Sequence, residues 1–319
     1  MRRFYCLILV SIISVLFCVF STPFLYNKFN DDYTRLATIH SWSTDPKIKP
    51  NFVIFGGSCA MNGINGYMIA DAFDCKVASY TSTGQSFSES TCFYSRLPES
   101  VNVVIQGIIA YGEEWSIGVR DAKVDKLMLN GYQPDSLSLS LLDTQTKELF
   151  ERSKIEVYYH SRNYLKNGIH WIIRSILEPH ENAPSADTSL VYPYLFQYER
   201  ADEAVWKTYA GEYRAVDSDT LHITPEFVEK IKMASDYFKK KNINYYLVLT
   251  PVSDYMEKGV PKNYTESLRK LENVAGVKVI DFTHLLEDDY FADPSHVNHS
   301  GAAILTSKLC EIIKEDLKD

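Results

Sequence analysis

The stretch that decides the fold is "NFVIFGGSCAMNGIN", Asn51 to Asn65. Phe52, Val53, Ile54 and Phe55 are four apolar residues in a row, the pattern of a strand buried on both faces. The strand then breaks on Gly56 and Gly57 and presents one hydroxyl, that of Ser58. The next residues, 64–74 ("INGYMIADAFD"), read as a helix. A strand, a glycine hinge and a helix in succession would place Ser58 at the edge of a sheet, near helix N-terminal amides that can stabilise an oxyanion. Glycine–serine turns are also common without any chemistry. On this stretch alone both readings stand.

Working outward, strand and helix alternate. Residues 76–80 form a short strand, 87–97 a helix and 101–108 ("VNVVIQGI") another buried strand. An amphipathic helix runs from about Pro225 to Lys241, with Thr224 as N-cap and Pro225 in the first turn. A strand follows at 244–252, a helix near 265–274, a strand at 277–282 and a last helix at 300–317. That helix carries the apolar stripe Ala303, Leu305, Leu309, Ile312, Ile313 and Leu317. Strands separated by helices predict an α/β fold, a central, mostly parallel sheet covered on both faces as a three-layer α/β/α sandwich. In such sheets ligands bind at the carboxyl ends of the strands, and Ser58 is just past one. Residues 110 to about 220 carry no convincing strand. Helix-like pieces near 141–152 and 160–177 and a polar loop at 179–191 predict a helical insertion. The division expected is therefore 1–21, an anchor or signal; 22–50, a lead-in; and 51–319, the α/β domain with its insertion.

The net charge of −8, with no basic stripe, excludes a nucleic-acid-binding surface. Lys239, Lys240 and Lys241 end a predicted helix, where cations suit the dipole. The 22 tyrosines fit either carbohydrate contact or core packing. Cys59, Cys75, Cys92 and Cys310 are scattered without metal spacing, so no metal site is expected, and either pairing or isolated thiols fit. At the N-terminus Arg2 and Arg3 precede an uncharged run from Phe4 to Phe20, 17 residues long. That length reads as an uncleaved membrane anchor, with cleavage after Ser21 and secretion as the alternative. The positive flank predicts that the domain lies outside the cytoplasmic membrane.

A second constellation precedes the last helix: "DPSHVNHSGAAILTSKL", Asp293 to Leu309. Asp293 and His296 are three apart, a spacing that can set a carboxylate on an imidazole and leave the other ring nitrogen for a serine proton. The alternative is an N-terminal box, with Asp293 or Asn298 capping the helix. Asp281 and His284 ("DFTHLL") share the spacing and form a second-best pair or a pocket wall.

The two blocks together, "GGS" after the first strand and "DPSH" before the last helix, resemble the SGNH/GDSL hydrolase superfamily. The likeness covers 51–109 and 244–317. It implies Ser58 as nucleophile, His296 as general base and Asp293 as the acid that orients it. It also implies an oxyanion hole from the amides of Ser58 and Gly84, the latter in "SYTSTGQSF". His299 would stand behind the site. Gly57 occupies a place where an aspartate is commoner. After the third strand the sequence reads "VVIQGIIAYGEEW", without the asparagine usual there, so a backbone amide or Gln106 would replace that donor. These departures point to a membrane-anchored branch similar to proteins of envelope-polymer O-acylation, such as the teichoic acid D-alanyl transfer protein and the alginate acetylation proteins. The resemblance implies a serine-dependent ester hydrolase or O-acyltransferase acting on an acylated glycan or envelope polymer. Its partners would be the cytoplasmic membrane and a membrane acyl-donating protein, and it needs no cofactor. The alternative is a non-catalytic glycan-binding or assembly subunit on the same fold.

Overall fold

The computed structural model describes residues 2–28, 34–110, 118–160, 190–191, 201–202, 204, 206–207, 223–257, 260 and 264–318. The described chain divides into two compact units.

The larger unit, residues 42–119, 135–143 and 189–319, holds a five-stranded parallel sheet in the order β2-β1-β3-β4-β5. The strands are β1 (Phe52–Gly56), β2 (Val77–Thr81), β3 (Val103–Ile109), β4 (Asn244–Thr250) and β5 (Lys278–Asp281). β1, β2 and β3 are buried at every residue, as strands covered on both faces must be. On one face lie α3 (Ser58–Gly63), α4 (Gly66–Phe73) and the C-terminal helix, α12 (His299–Asp316). Ile54, Ile105 and Val248 of the sheet meet Ile64, Ile69, Leu305 and Leu309 there. Residues of the opposite alternation point the other way. Phe55 packs edge-on against Tyr94, whose ring meets Phe87 of α5 (Phe87–Thr91) and Phe238 of α9 (Pro225–Lys240). Leu249 packs on Leu268 of α11 (Tyr264–Ala275). Helices on both faces are consistent with the three layers read from the sequence.

The expected start of α9 is found: the Thr224 hydroxyl accepts from the Phe227 amide at 3.1 Å, with Pro225 in the first turn. Elsewhere the structure refines the reading. The helix expected over 87–97 is α5 followed by a 3-10 turn at Tyr94–Arg96. Ahead of α4, the six residues Ser58–Gly63 are a helix of their own.

The β1–α3 junction explains the glycines. Gly56 has φ +140°, and a Cβ there would collide with the Gly107 carbonyl oxygen and stand 2.6 Å from the Ala60 Cβ. A Cβ on Gly107 would stand 2.5 Å from the same methyl. Helix α3 therefore lies directly on the backbones of β1 and β3, which only glycine permits. Both polar groups of Gly56 are held by the segment after β2: its amide donates to Gln85 Oε1 at 2.7 Å, and its carbonyl accepts from the Ser82 amide at 3.1 Å. Gly56→Ala is expected to lower stability by about 2–4 kcal/mol, from backbone strain and overpacking together. The check is the urea midpoint at unchanged m-value; an unmoved midpoint would show that the junction relaxes freely.

The smaller unit comprises residues 1–41, 120–134 and 144–188. Its described elements include α1 (Arg2–Lys28), the greater part of α2 (Thr34–Thr44), α6 (Asp121–Leu129) and α8 (Thr144–Phe150). Leu36, Ile39, Val124, Leu127 and Tyr132 are buried in it. Asp125 is 2 % exposed and receives Arg152 Nη2 at 2.7 Å. Burial pushes its carboxyl up to about 6 against the pull of that guanidinium. The expected insertion is thus divided. Residues 120–134 and 144–188 group with the N-terminal segment, while 135–143, containing α7 (Ser136–Leu141), stays with the sheet. Among the described residues between β3 and β4 there is no strand. The helix expected near 160–177 lies, but for residue 160, outside the described residues, as does the loop at 179–191 up to residue 189.

The apolar run at the N-terminus is helical within α1, and the described side chains from Phe4 to Phe17 are exposed. Among the described residues no helix is long and apolar enough to cross a membrane.

Candidate active site

Ser58 is the first residue of α3, not the tip of a loop. Its amide precedes the helical hydrogen-bond ladder and so remains a donor aimed beyond the helix end. The sheet order places β2 and β3 on opposite sides of β1, so the chain reverses direction across the sheet at that strand. Such a switch point opens a crevice at the carboxyl ends of the strands, and Ser58 stands at it.

Asp293 and His296 arrive on a feature that the sequence reading missed. They are paired across a small antiparallel hairpin, β6 (Phe291–Asp293) and β7 (His296–Val297), with Pro294 and Ser295 as its turn. Three-residue and two-residue strands are too short to show a period of two. The hairpin is tied at four places. The Ser253 hydroxyl donates to the Pro294 carbonyl at 2.6 Å, Cys59 Sγ to the Ser295 carbonyl at 3.2 Å, the Ala201 amide to the Ala292 carbonyl at 2.6 Å and the Asn298 amide to the Tyr290 carbonyl at 2.8 Å. One of these anchors, Cys59, is the residue after the serine, so the loop bearing the base is fixed to the helix bearing the hydroxyl. The cap of α12 is Asn298, which accepts from the Gly301 amide at 3.0 Å. Asp293 is therefore not spent as a cap.

The three side chains meet. His296 Nε2 lies 2.8 Å from Ser58 Oγ, and His296 Nδ1 lies 2.9 and 3.0 Å from the two Asp293 oxygens. Asp293 Oδ1 also accepts from the amides of Ser295 and His296 at 2.9 and 3.0 Å and from the Ser295 hydroxyl at 3.1 Å. Burial alone would raise the Asp293 carboxyl. The His296 ring, then the Ser295 amide and hydroxyl, more than offset it and hold the group below the usual carboxylate range. An ionised carboxylate only accepts, so Nδ1 carries the ring proton and Nε2 offers its lone pair to the Ser58 hydroxyl. The side chains of His296 and Asp293 are 15 % and 13 % exposed, enough for an approaching ligand to reach the imidazole but little enough to shield the pair from water.

The other sequence candidates divide. Gly84 is in the turn after β2, with φ +58°. The side chain of its neighbour Gln85 bridges the Gly56 amide and the Tyr80 carbonyl, which holds the turn against the end of β1. Gln106 is corrected. Gly107 faces Ala60 of α3, so by alternation Gln106 points to the opposite face. There it is fully buried and accepts from the Tyr94 hydroxyl at 2.8 Å; it is not a donor to the Ser58 side. The segment after β3 that would supply a third donor, 111–117, lies outside the described residues. Asp281 accepts from the Thr283 amide at 3.0 Å, and the His284 ring packs edge-on against Tyr264 at 5.7 Å. His296, not His284, meets the serine. His299 is exposed in the first turn of α12. Cys59, Cys75, Cys92 and Cys310 are free thiols. Among the described residues no group of three or more His, Cys, Asp or Glu is placed to hold a metal.

The sequence model of an uncharacterised protein family matches residues 212–318. That stretch holds β4, β5 and the Asp293–His296 hairpin, while Ser58 lies outside it. No curated protein matches the chain.

Proposed function

We propose that the protein is a serine-dependent acyl ester hydrolase or O-acyltransferase of the SGNH type, acting on a cell-envelope or extracellular glycan through an acyl-serine intermediate. The observation that carries this reading is the 2.8 Å contact between Ser58 Oγ and His296 Nε2, with Asp293 on the other ring nitrogen. In the mechanism, Ser58 Oγ attacks the ester carbonyl carbon as His296 Nε2 takes its proton. The amides of Ser58 and Gly84 receive the developing oxyanion. His296 then returns the proton to the leaving alcohol oxygen as the carbon–oxygen bond breaks. Water or a sugar hydroxyl resolves the acyl-Ser58 by the same steps in reverse. The residues present need neither a metal nor an organic cofactor for this. A binding subunit without catalysis would have no use for a serine, an imidazole and a carboxylate held in this order.

The glycan and the placement of the domain are part of the same proposal. They rest on the arginine flank of the apolar N-terminal run and on the resemblance set out above. The domain stands outside the cytoplasmic membrane, held by the N-terminal helix, within reach of a membrane acyl donor. One experiment addresses both chemistry and placement: a membrane-impermeant fluorophosphonate probe is applied to intact cells and to lysed cells. The expected result is labelling of Ser58 in both. Labelling only after lysis would reverse the placement and leave the chemistry standing. No labelling of the folded protein in either would remove the nucleophile.

A further inference from the structure

Ser295 stands between Asp293 and His296 in the hairpin turn and is 6 % exposed. Its backbone builds and anchors the turn: the amide donates to Asp293 Oδ1 at 2.9 Å, and the carbonyl accepts from Cys59 Sγ at 3.2 Å. The hydroxyl has a different use. Among the described residues it bonds no backbone group, and Oγ lies 3.1 Å from Asp293 Oδ1 and 3.2 Å from His296 Nδ1. The two carboxylate oxygens are unequally engaged. Oδ1 meets the amides of Ser295 and His296, the Ser295 hydroxyl and the ring nitrogen. Among the described residues Oδ2 meets the ring nitrogen alone, at 2.9 Å.

A hydroxyl has one proton to give and lone pairs with which to accept. Ser295 can therefore join the pair in two ways. In the first it donates to Asp293 Oδ1 and turns a lone pair toward the Nδ1 proton. Nε2 is then bare and faces Ser58 Oγ. In the second it donates to Nδ1, whose proton must then sit on Nε2, and the base is blocked. A hydrogen bond donated to an ionised oxygen is roughly twice as strong as one to a neutral acceptor, so the carboxylate selects the first. In that state the hydroxyl helps hold Oδ1 to the turn and leaves Oδ2 to the imidazole. The imidazolium formed as Ser58 loses its proton keeps its hydrogen on Nδ1, so the same bonds persist through the step.

We propose that Ser295 is a positioning residue of the Ser58 site. Its hydroxyl, bound to Asp293 and His296 together, fixes the carboxylate and with it the Nδ1-protonated ring whose Nε2 takes the serine proton. This rests on the acyl-transfer reading above. The test is a double-mutant cycle on the full chain, with Ser295→Ala made in the wild-type and in the Asp293→Asn background. The rate of fluorophosphonate labelling of Ser58, which spontaneous ester hydrolysis does not obscure, is read in all four proteins, matched for folded protein by urea titration. Where Asp293 is present, kcat and KM for p-nitrophenyl acetate are read as well. Ser295→Ala is expected to lower the labelling rate and kcat by about five- to thirtyfold with KM unchanged. In the Asp293→Asn background, where the ring proton has already moved to Nε2, the same change should alter the labelling rate by less than about twofold. A wild-type rate in Ser295→Ala overturns the inference. So does an equal loss in both backgrounds, which would show that the hydroxyl supports the hairpin and not the tautomer. Either result leaves the acyl-transfer reading intact. A folded wild-type protein that neither turns over the ester nor is labelled overturns both.

Discussion

Ser58→Ala is expected to lower turnover of an acetyl ester by roughly four to six orders of magnitude, as removal of the nucleophile does where serine and histidine act as one unit. The fold should hardly respond. The Ser58 side chain makes one hydrogen bond, to His296 Nε2, and it does not cap α3, whose N-cap is Gly57 without any side-chain bond. Alanine suits a first helical turn. The partly exposed His296 ring can turn its freed nitrogen to water. The net cost is then about one hydrogen bond between neutral groups, in the range 0.5–1.5 kcal/mol. The measurement is single-turnover ester cleavage by wild type and variant, matched for folded protein by urea titration. Equal rates would take Ser58 out of the mechanism. The binding-subunit reading would then be the better one, because it alone predicts that the hydroxyl is dispensable.

The parts of the molecule legible in the sequence are those whose signal is local and repeated. Phe52–Phe55, Val103–Ile105 and Tyr245–Leu249 are runs of consecutive apolar residues, and each is the buried interior of a parallel strand. Thr224–Pro225 states a helix start in two residues, and the structure begins α9 there. The Asp293–His296 pair was legible as chemistry but not as structure. Its spacing suits a turn, a helix box or a hairpin equally well, and only the capping role of Asn298 and the bond from Cys59, 236 residues away in sequence, fix which one forms. Helix α3 was hidden because six residues cannot display a 3.6-residue period. Its defining feature is close contact with Gly56 and Gly107, and Gly107 belongs to a distant strand. Gln106 misled because it is the polar residue in an apolar strand. Alternation puts it on the face opposite Gly107, but which face carries the nucleophile is decided by how α3 crosses the sheet.

Asp293→Asn should cost about four orders of magnitude in turnover while leaving the hairpin folded, the second large effect expected. The variant is nearly isosteric, and its remaining oxygen can still accept from the amides of Ser295 and His296, the bonds that shape the turn. What changes is the proton. An amide nitrogen facing His296 Nδ1 donates to it, and the ring proton then moves to Nε2. That places a hydrogen, instead of a lone pair, 2.8 Å from Ser58 Oγ, and the base can no longer take the serine proton. The imidazolium formed during attack also loses its counter-charge. A second readout separates this from unfolding. The Asp293 carboxyl is held below its ordinary value of 3.8 in the folded chain, so as pH falls the unfolded chain binds this proton first. The stabilisation it supplies is complete above about pH 5 and is lost as pH drops through 3.8 toward the folded value. Between pH 7 and pH 3.5 the wild-type urea midpoint should therefore fall further than that of Asp293→Asn, which has no proton to bind there. A variant that keeps wild-type turnover at pH 7 would show that the carboxylate shapes the hairpin but does not set the tautomer, and that His296 works as a base without it.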